Sequence, residues 1–144
     1  MTSTGTAGGK DMARGSRRAV GRMEKFQNSV SRNVAPGASN VDTFQLDGGE
    51  VEAQVKRIML SFGGIGSQLC TFQLGLFQKQ PAAPADFDDE TVVISGAIGN
   101  QFSHNDTITM RVPKDWYIGL LVTNLAAQPA DYVRNLQLNY KVLN

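Results

Sequence analysis

Over its last ten residues the chain alternates cleanly between apolar and polar positions. Leu136, Leu138, Tyr140 and Val142 occupy every second place against Asn135, Gln137, Asn139 and Lys141, the period-two pattern of a half-buried strand. Ile108, Met110 and Val112 alternate with Thr107, Thr109 and Arg111 in the same way. Cys70, Phe72, Leu74 and Leu76 form a third inward set, with Thr71 and Gln73 outward. Over residues 51–62 the parity flips. Val51, Ala53 and Val55 give way to Ile58, Leu60 and Phe62, which predicts a bulge near Lys56-Arg57 or a break between two strands. Trp116 to Thr123 is apolar on both parities, as in a central strand covered on each side.

Turn residues separate these runs. Gly48-Gly49, Gly63-Gly64-Ile65-Gly66, Pro81 to Pro84, Asn105-Asp106, Pro113-Lys114-Asp115 and Gln128-Pro129 each interrupt the alternation. The longest connections are expected through Gln80–Asp89 and Gly96–Asn105. No helical period occurs after residue 40. Regularly spaced short strands of this kind predict an all-β, jelly-roll-like antiparallel β-sandwich of about eight strands over residues 41–144.

Before residue 41 the pattern is different. Met1 to Gly9 is almost entirely Thr, Ser, Gly and Ala, with nothing to bury, and is expected to be disordered in isolation. Over residues 11–34, Val20, Met23, Val30 and Val34 recur at roughly helical spacing, with Phe26 near the same side. Arg14, Arg18, Arg22 and Lys25 step along another side, which predicts a basic amphipathic helix stopped by Ala35-Pro36-Gly37. Residues 1–40 therefore read as a basic arm, partly helical or extended, appended to the body.

Charge sharpens that division. Residues 1–40 carry seven basic and two acidic side chains, a net +5; residues 41–144 carry seven and eleven, a net −4. A basic tail on an acidic body implies different partners for the two parts. Arg14, Arg17, Arg18, Arg22 and Lys25 supply the cations, and Met23, Phe26 and Val30 an apolar stripe. Three partners fit: the phosphates of a packaged nucleic acid, an anionic internal membrane, or a neighbouring subunit. The apolar stripe favours the subunit.

Catalytic chemistry is sparse. A chain of 144 residues has room for one domain and an appendage. His104 is the sole histidine and falls in Gln101 to Asp106, a run that reads as a turn. Cys70 is the sole cysteine and sits on an apolar strand face, where it reads as a small buried hydrophobe and excludes an intrachain disulfide. Asp86, Asp88, Asp89 and Glu90 form the best candidate for a calcium site, yet the EF-hand glycine is missing and the run reads as a solvated loop tip. Gly63-Gly64-Ile65-Gly66-Ser67 lacks the Lys of a P-loop, and Trp116-Tyr117 reads as core rather than a sugar platform. No enzyme activity, cofactor or metal is expected. No apolar run is long enough to span a membrane, and the first thirty residues lack a signal peptide's h-region, so synthesis in a host cytoplasm is expected.

A small-residue start, a basic arm and a jelly-roll-like body together resemble the single-jelly-roll capsid, penton and minor capsid or cement proteins of icosahedral bacterial viruses. The layout of Ile108–Val112, Pro113-Lys114-Asp115-Trp116-Tyr117 and Val133–Leu143 is similar to the closing strands of such proteins. The resemblance covers organisation and contains no diagnostic motif. It implies a structural virion protein, a bacteriophage shell subunit that forms homo-oligomers or docks on other capsid proteins. The rival expectation is a receptor- or carbohydrate-binding β-sandwich of a phage tail or spike, which needs Trp116, Tyr117, Phe87 or Phe102 exposed.

Overall fold

The computed structural model describes residues 20–64, 69–99 and 101–144. These form eight strands: β1 (Met23–Val34), β2 (Ser39–Phe44), β3 (Ala53–Gly63), β4 (Cys70–Phe77), β5 (Val92–Ala97), β6 (Phe102–Val112), β7 (Tyr117–Asn124) and β8 (Ala130–Val142). They pair into two four-stranded antiparallel sheets, one ordered β1-β8-β3-β6 and the other β2-β7-β4-β5. The connection from β4 to β5 stays within its sheet, and every other connection crosses between sheets. That winding is a jelly roll, the expected all-β fold. Among the described residues the only helical turns are two short 3-10 segments, Leu46–Gly49 and Pro84–Asp86. No helix among them is long and apolar enough to cross a membrane.

The helix expected over residues 11–34 is corrected where it is described. Met23–Val34 is a twelve-residue strand paired with β8 along its whole length, from Met23 opposite Lys141 to Val34 opposite Ala130. Its inward positions are Glu24, Phe26, Asn28, Val30, Arg32 and Val34. Polar side chains at three of those six places hide the period of two, and the remaining apolar residues happen to fall at helical spacing. Pro36-Gly37 does punctuate the chain, but as a turn between two strands. Ala38 N–H bonds to Ala35 C=O at 3.0 Å, and Gly37 takes φ 72°, the conformation that the third place of a type II turn demands. Residues 23–40 thus belong to the sandwich, and the boundary expected at residue 40 falls inside β2.

Elsewhere strand parity sets the packing. Ala53, Val55, Ile58, Leu60 and Phe62 of β3 all face the core, because Lys56 is an extra residue against β8, where Val55 pairs with Tyr140 and Arg57 with Asn139. The core also takes Cys70, Phe72 and Leu74 from β4, Ile118, Leu120 and Val122 from β7, and Leu136, Leu138, Tyr140 and Val142 from β8. The opposite face of β7 is covered too. Phe87, from the long β4–β5 connection, meets Phe77 edge-to-face at 4.7 Å and packs with Leu121 and Tyr117. Gly75 and Gly119 lie opposite one another beneath this layer, and a Cβ on either would come within 2.8 Å of the Phe77 ring. Glycine leaves the room in which that ring lies.

Two expected turns shift. Asn105-Asp106 lies within β6, and the β5–β6 connection is correspondingly short, Ile98 to Gln101. β6 is an edge strand, so one row of its backbone groups already faces away from the sheet and polar side chains are tolerated there. Asn105 also accepts a 2.6 Å bond from Arg57 Nη1 across the strand pair.

Candidate functional site

The residues singled out for assembly divide three ways. Arg14, Arg17 and Arg18 lie outside the described residues. Phe26 and Val30 point inward from β1, and Phe26 meets Phe44 of the opposite sheet edge-to-face at 5.3 Å. Met23 and Lys25 point outward, Met23 with 54% of its surface exposed. Arg22 is exposed just before the strand and pairs with Glu24 at 2.9 Å. The apolar stripe is therefore divided between core and surface, because a strand sends odd and even positions to opposite faces.

The outer face of the β1-β8-β3-β6 sheet gathers what the sequence reading left apart. Registers place Ser29, Asn135, Ser61 and Ser103 in one row across the four strands, and Gln27, Gln137, Met59 and Asn105 in the next. Then follow Lys25, Asn139, Arg57 and Thr107, and finally Met23, Lys141, Gln54 and Arg111. The first two of these rows are uncharged, amide and hydroxyl except for Met59. The last two carry Lys25, Arg57, Lys141 and Arg111, one cation from each strand, with the exposed bulge residue Lys56 beside them. Arg111 is paired with Glu52. Asp131, bonded to Asn33 at 2.7 Å, is the one acidic side chain of the outward rows and stands at the far end. No sequence motif marks these cations. Only strand order brings them together.

The opposite side of the sandwich is acidic. The β4–β5 connection that covers β7 carries Asp86, Asp88, Asp89 and Glu90. Two of these carboxylates bind their own loop. Asp86 accepts from the backbone N–H groups of Ala82 and Ala83 at 2.9 and 3.0 Å, which holds its carboxyl below the usual range. Asp88 accepts from those of Glu90 and Thr91 at 2.9 and 3.0 Å. Among the described residues no three of His, Cys, Asp and Glu come together as a metal-binding group.

Between the sheets lies a charged network that alternation alone did not reveal. Arg134 extends the inward series of β8 and is 2% exposed. Its Nη2 pairs with Asp42 of β2 at 3.1 Å, its Nη1 donates to Asn28 at 2.9 Å, and its guanidinium lies 5.2 Å from the centre of the Phe44 ring. Asp42 also pairs with Arg32, while Arg134 Nε has no partner. Burial lowers the Arg134 pKa from its ordinary value, and Asp42 works against that shift. Beside it, burial raises the Tyr132 phenol, whose oxygen accepts from Asn40 Nδ2 at 3.1 Å. The network ties β1 and β8 to β2 across the core.

The candidate catalytic residues are accounted for by packing. His104 sits mid-strand on β6, its ring stacked on Phe102 at 6.4 Å. Cys70 is fully buried, and burial pushes its thiol up, away from the reactive thiolate. Of the four aromatics that a sugar platform could use, Phe87 is buried and the other three are half-buried against apolar neighbours. Phe87 and Tyr117 belong to the layer over β7, and Phe102 and Trp116 lie against the main core.

No protein-family model matches the chain, and no curated protein matches it. Solved structures do resemble it in fold. The mitogen from Yersinia pseudotuberculosis superposes with a TM-score of 0.52 at 6% identity, over 84% of this chain and 88% of its own. The BFDV capsid protein, in its decameric form, gives 0.48 at 12% identity, over 85% of this chain and 99% of its own. The tobacco streak virus coat protein gives 0.38 at 12% identity, over 84% and 90%. At 6% identity the likeness to the mitogen is one of fold alone.

Proposed function

We propose that this chain is a structural virion protein, a capsid shell subunit that assembles with copies of itself or docks on other capsid proteins. The observation that carries this reading is a complete jelly roll whose first strand is preceded by a strongly basic segment. A sandwich of this kind fills a shell with little chain, and a cationic extension gives it a second contact beyond its own surface. In this reading the arm comprises residues 1–22, and it reaches neighbouring subunits, the genome or an internal membrane. The protein is then found in the virion, that of a bacteriophage.

The receptor- or carbohydrate-binding reading is the weaker one, because the aromatic side chains it requires are used in packing. Negative-stain electron microscopy of the purified protein tests the proposal. Rings, pentamers or closed shells are expected. Isolated single subunits at every concentration, together with specific retention on a glycan array, would replace it with the rival.

A further inference from the structure

We infer that the basic end of the β1-β8-β3-β6 outer face is a phosphate-binding surface for nucleic acid, resting on the shell-subunit reading for its biological setting. Lys25, Arg57, Lys141 and Arg111 come from four adjacent strands, so at about 4.8 Å between neighbours they span roughly 15 Å. Their neighbours in those rows are Asn139, Gln54, Thr107 and Met23, none of which is acidic. Arg111 is already held by Glu52 from just before β3, so Lys25, Arg57 and Lys141 are the cations offered to a ligand. Long cationic side chains on one sheet face, with donors and no aromatic platform, suit a phosphate backbone read without sequence preference.

The path of the chain selects this occupant. Residues 20–22 enter the fold at this corner: Gly21 N–H bonds to Val142 C=O at 2.6 Å, and Arg22 C=O accepts from Val142 N–H at 2.9 Å. The preceding sequence holds Lys10, Arg14, Arg17 and Arg18 against one Asp11. A cationic segment is repelled by this face and cannot be its cover. A polyanion is attracted to both. A lipid surface would call for aromatic or leucine anchors, and the large exposed apolar side chains at this corner are Met23 and, at the entry to the strand, Val20.

The test is fluorescence anisotropy of the full-length protein with a labelled thirty-nucleotide oligothymidine across a salt series. The triple variant Lys25→Gln, Arg57→Gln, Lys141→Gln should flatten the slope of log K against log salt by about 2, at about 0.7 per lost contact. Lys79→Gln, on the β4–β5 connection over the other sheet, should leave it unchanged. Should the triple variant melt early, Lys25→Glu and Lys141→Glu made singly should each weaken binding. An unchanged slope overturns the inference. So does a triple variant that loses self-association while keeping oligonucleotide affinity, which would give the face to the acidic loop of a second copy. Binding to phosphatidylserine vesicles without binding to the oligonucleotide overturns it in favour of a membrane. Shell formation is scored separately, so failure of the assembly reading leaves the binding result legible.

Discussion

Arg134 shows how one side chain can be decisive and yet silent in a pattern search. The parity that makes Leu136, Leu138, Tyr140 and Val142 core residues continues back through Arg134 to Tyr132. A charge at an inward place looks like the end of the apolar series, although the strand continues. Its partner Asp42 neutralises two arginines, so the two ends of the pair are not equivalent. Asp42→Ala strands both guanidiniums and should cost about 3–5 kcal/mol in urea denaturation. Arg134→Met leaves Asp42 with Arg32 and removes the unpartnered Nε, so a loss under about 2 kcal/mol is expected. The reverse order would show that Asp42 is not the hub. A second residue-scale test concerns Gly119, where a Cβ would meet Phe77 at 2.8 Å and Pro81 at 2.9 Å. Gly119→Ala should cost about 1–3 kcal/mol by overpacking, and less in a Phe77→Ala background, where the Pro81 contact remains. Additive losses would mean that the ring is not the obstacle.

At the scale of elements, legibility followed the purity of the alternation. β4, β7 and the second halves of β6 and β8 each have at least one face without a charged side chain, and these are the stretches the sequence located. The bulge at Lys56 was readable as one of two explanations of a parity error, the other being a break between strands, and the continuous pairing of β3 with β8 selects the bulge. β1 was not readable as a strand, since Glu24, Asn28 and Arg32 fill inward places, the last two to meet polar partners on other strands. Local spacing cannot reveal a partner on a different strand. The consequence can be tested by truncation. A chain beginning at Val20 should melt close to the full-length protein, because it keeps every described strand. A chain beginning at Ala35 loses β1 with the buried Val34 and the packed Phe26, and should lose at least about 3 kcal/mol or fail to fold. Equal melting of the two truncated chains would make β1 an accessory.

For the whole molecule, the relevant property is the separation of charge over a rigid sandwich. The basic rows of one sheet and the acidic loop over the other give the subunit two unlike sides, and the basic segment joins the first of them. The composition announced a basic start and an acidic remainder, but it could not show that cations from four strands share one face. Registry alone does that. The account as a whole rests on assembly, and sedimentation velocity of the full-length protein beside the chain beginning at Val20 addresses it most directly. The full-length protein should sediment as a discrete large oligomer built from 15.6 kDa subunits, and the shortened chain as a smaller species. A full-length protein that remains a monomer at every concentration and salt, with or without oligonucleotide, would contradict it.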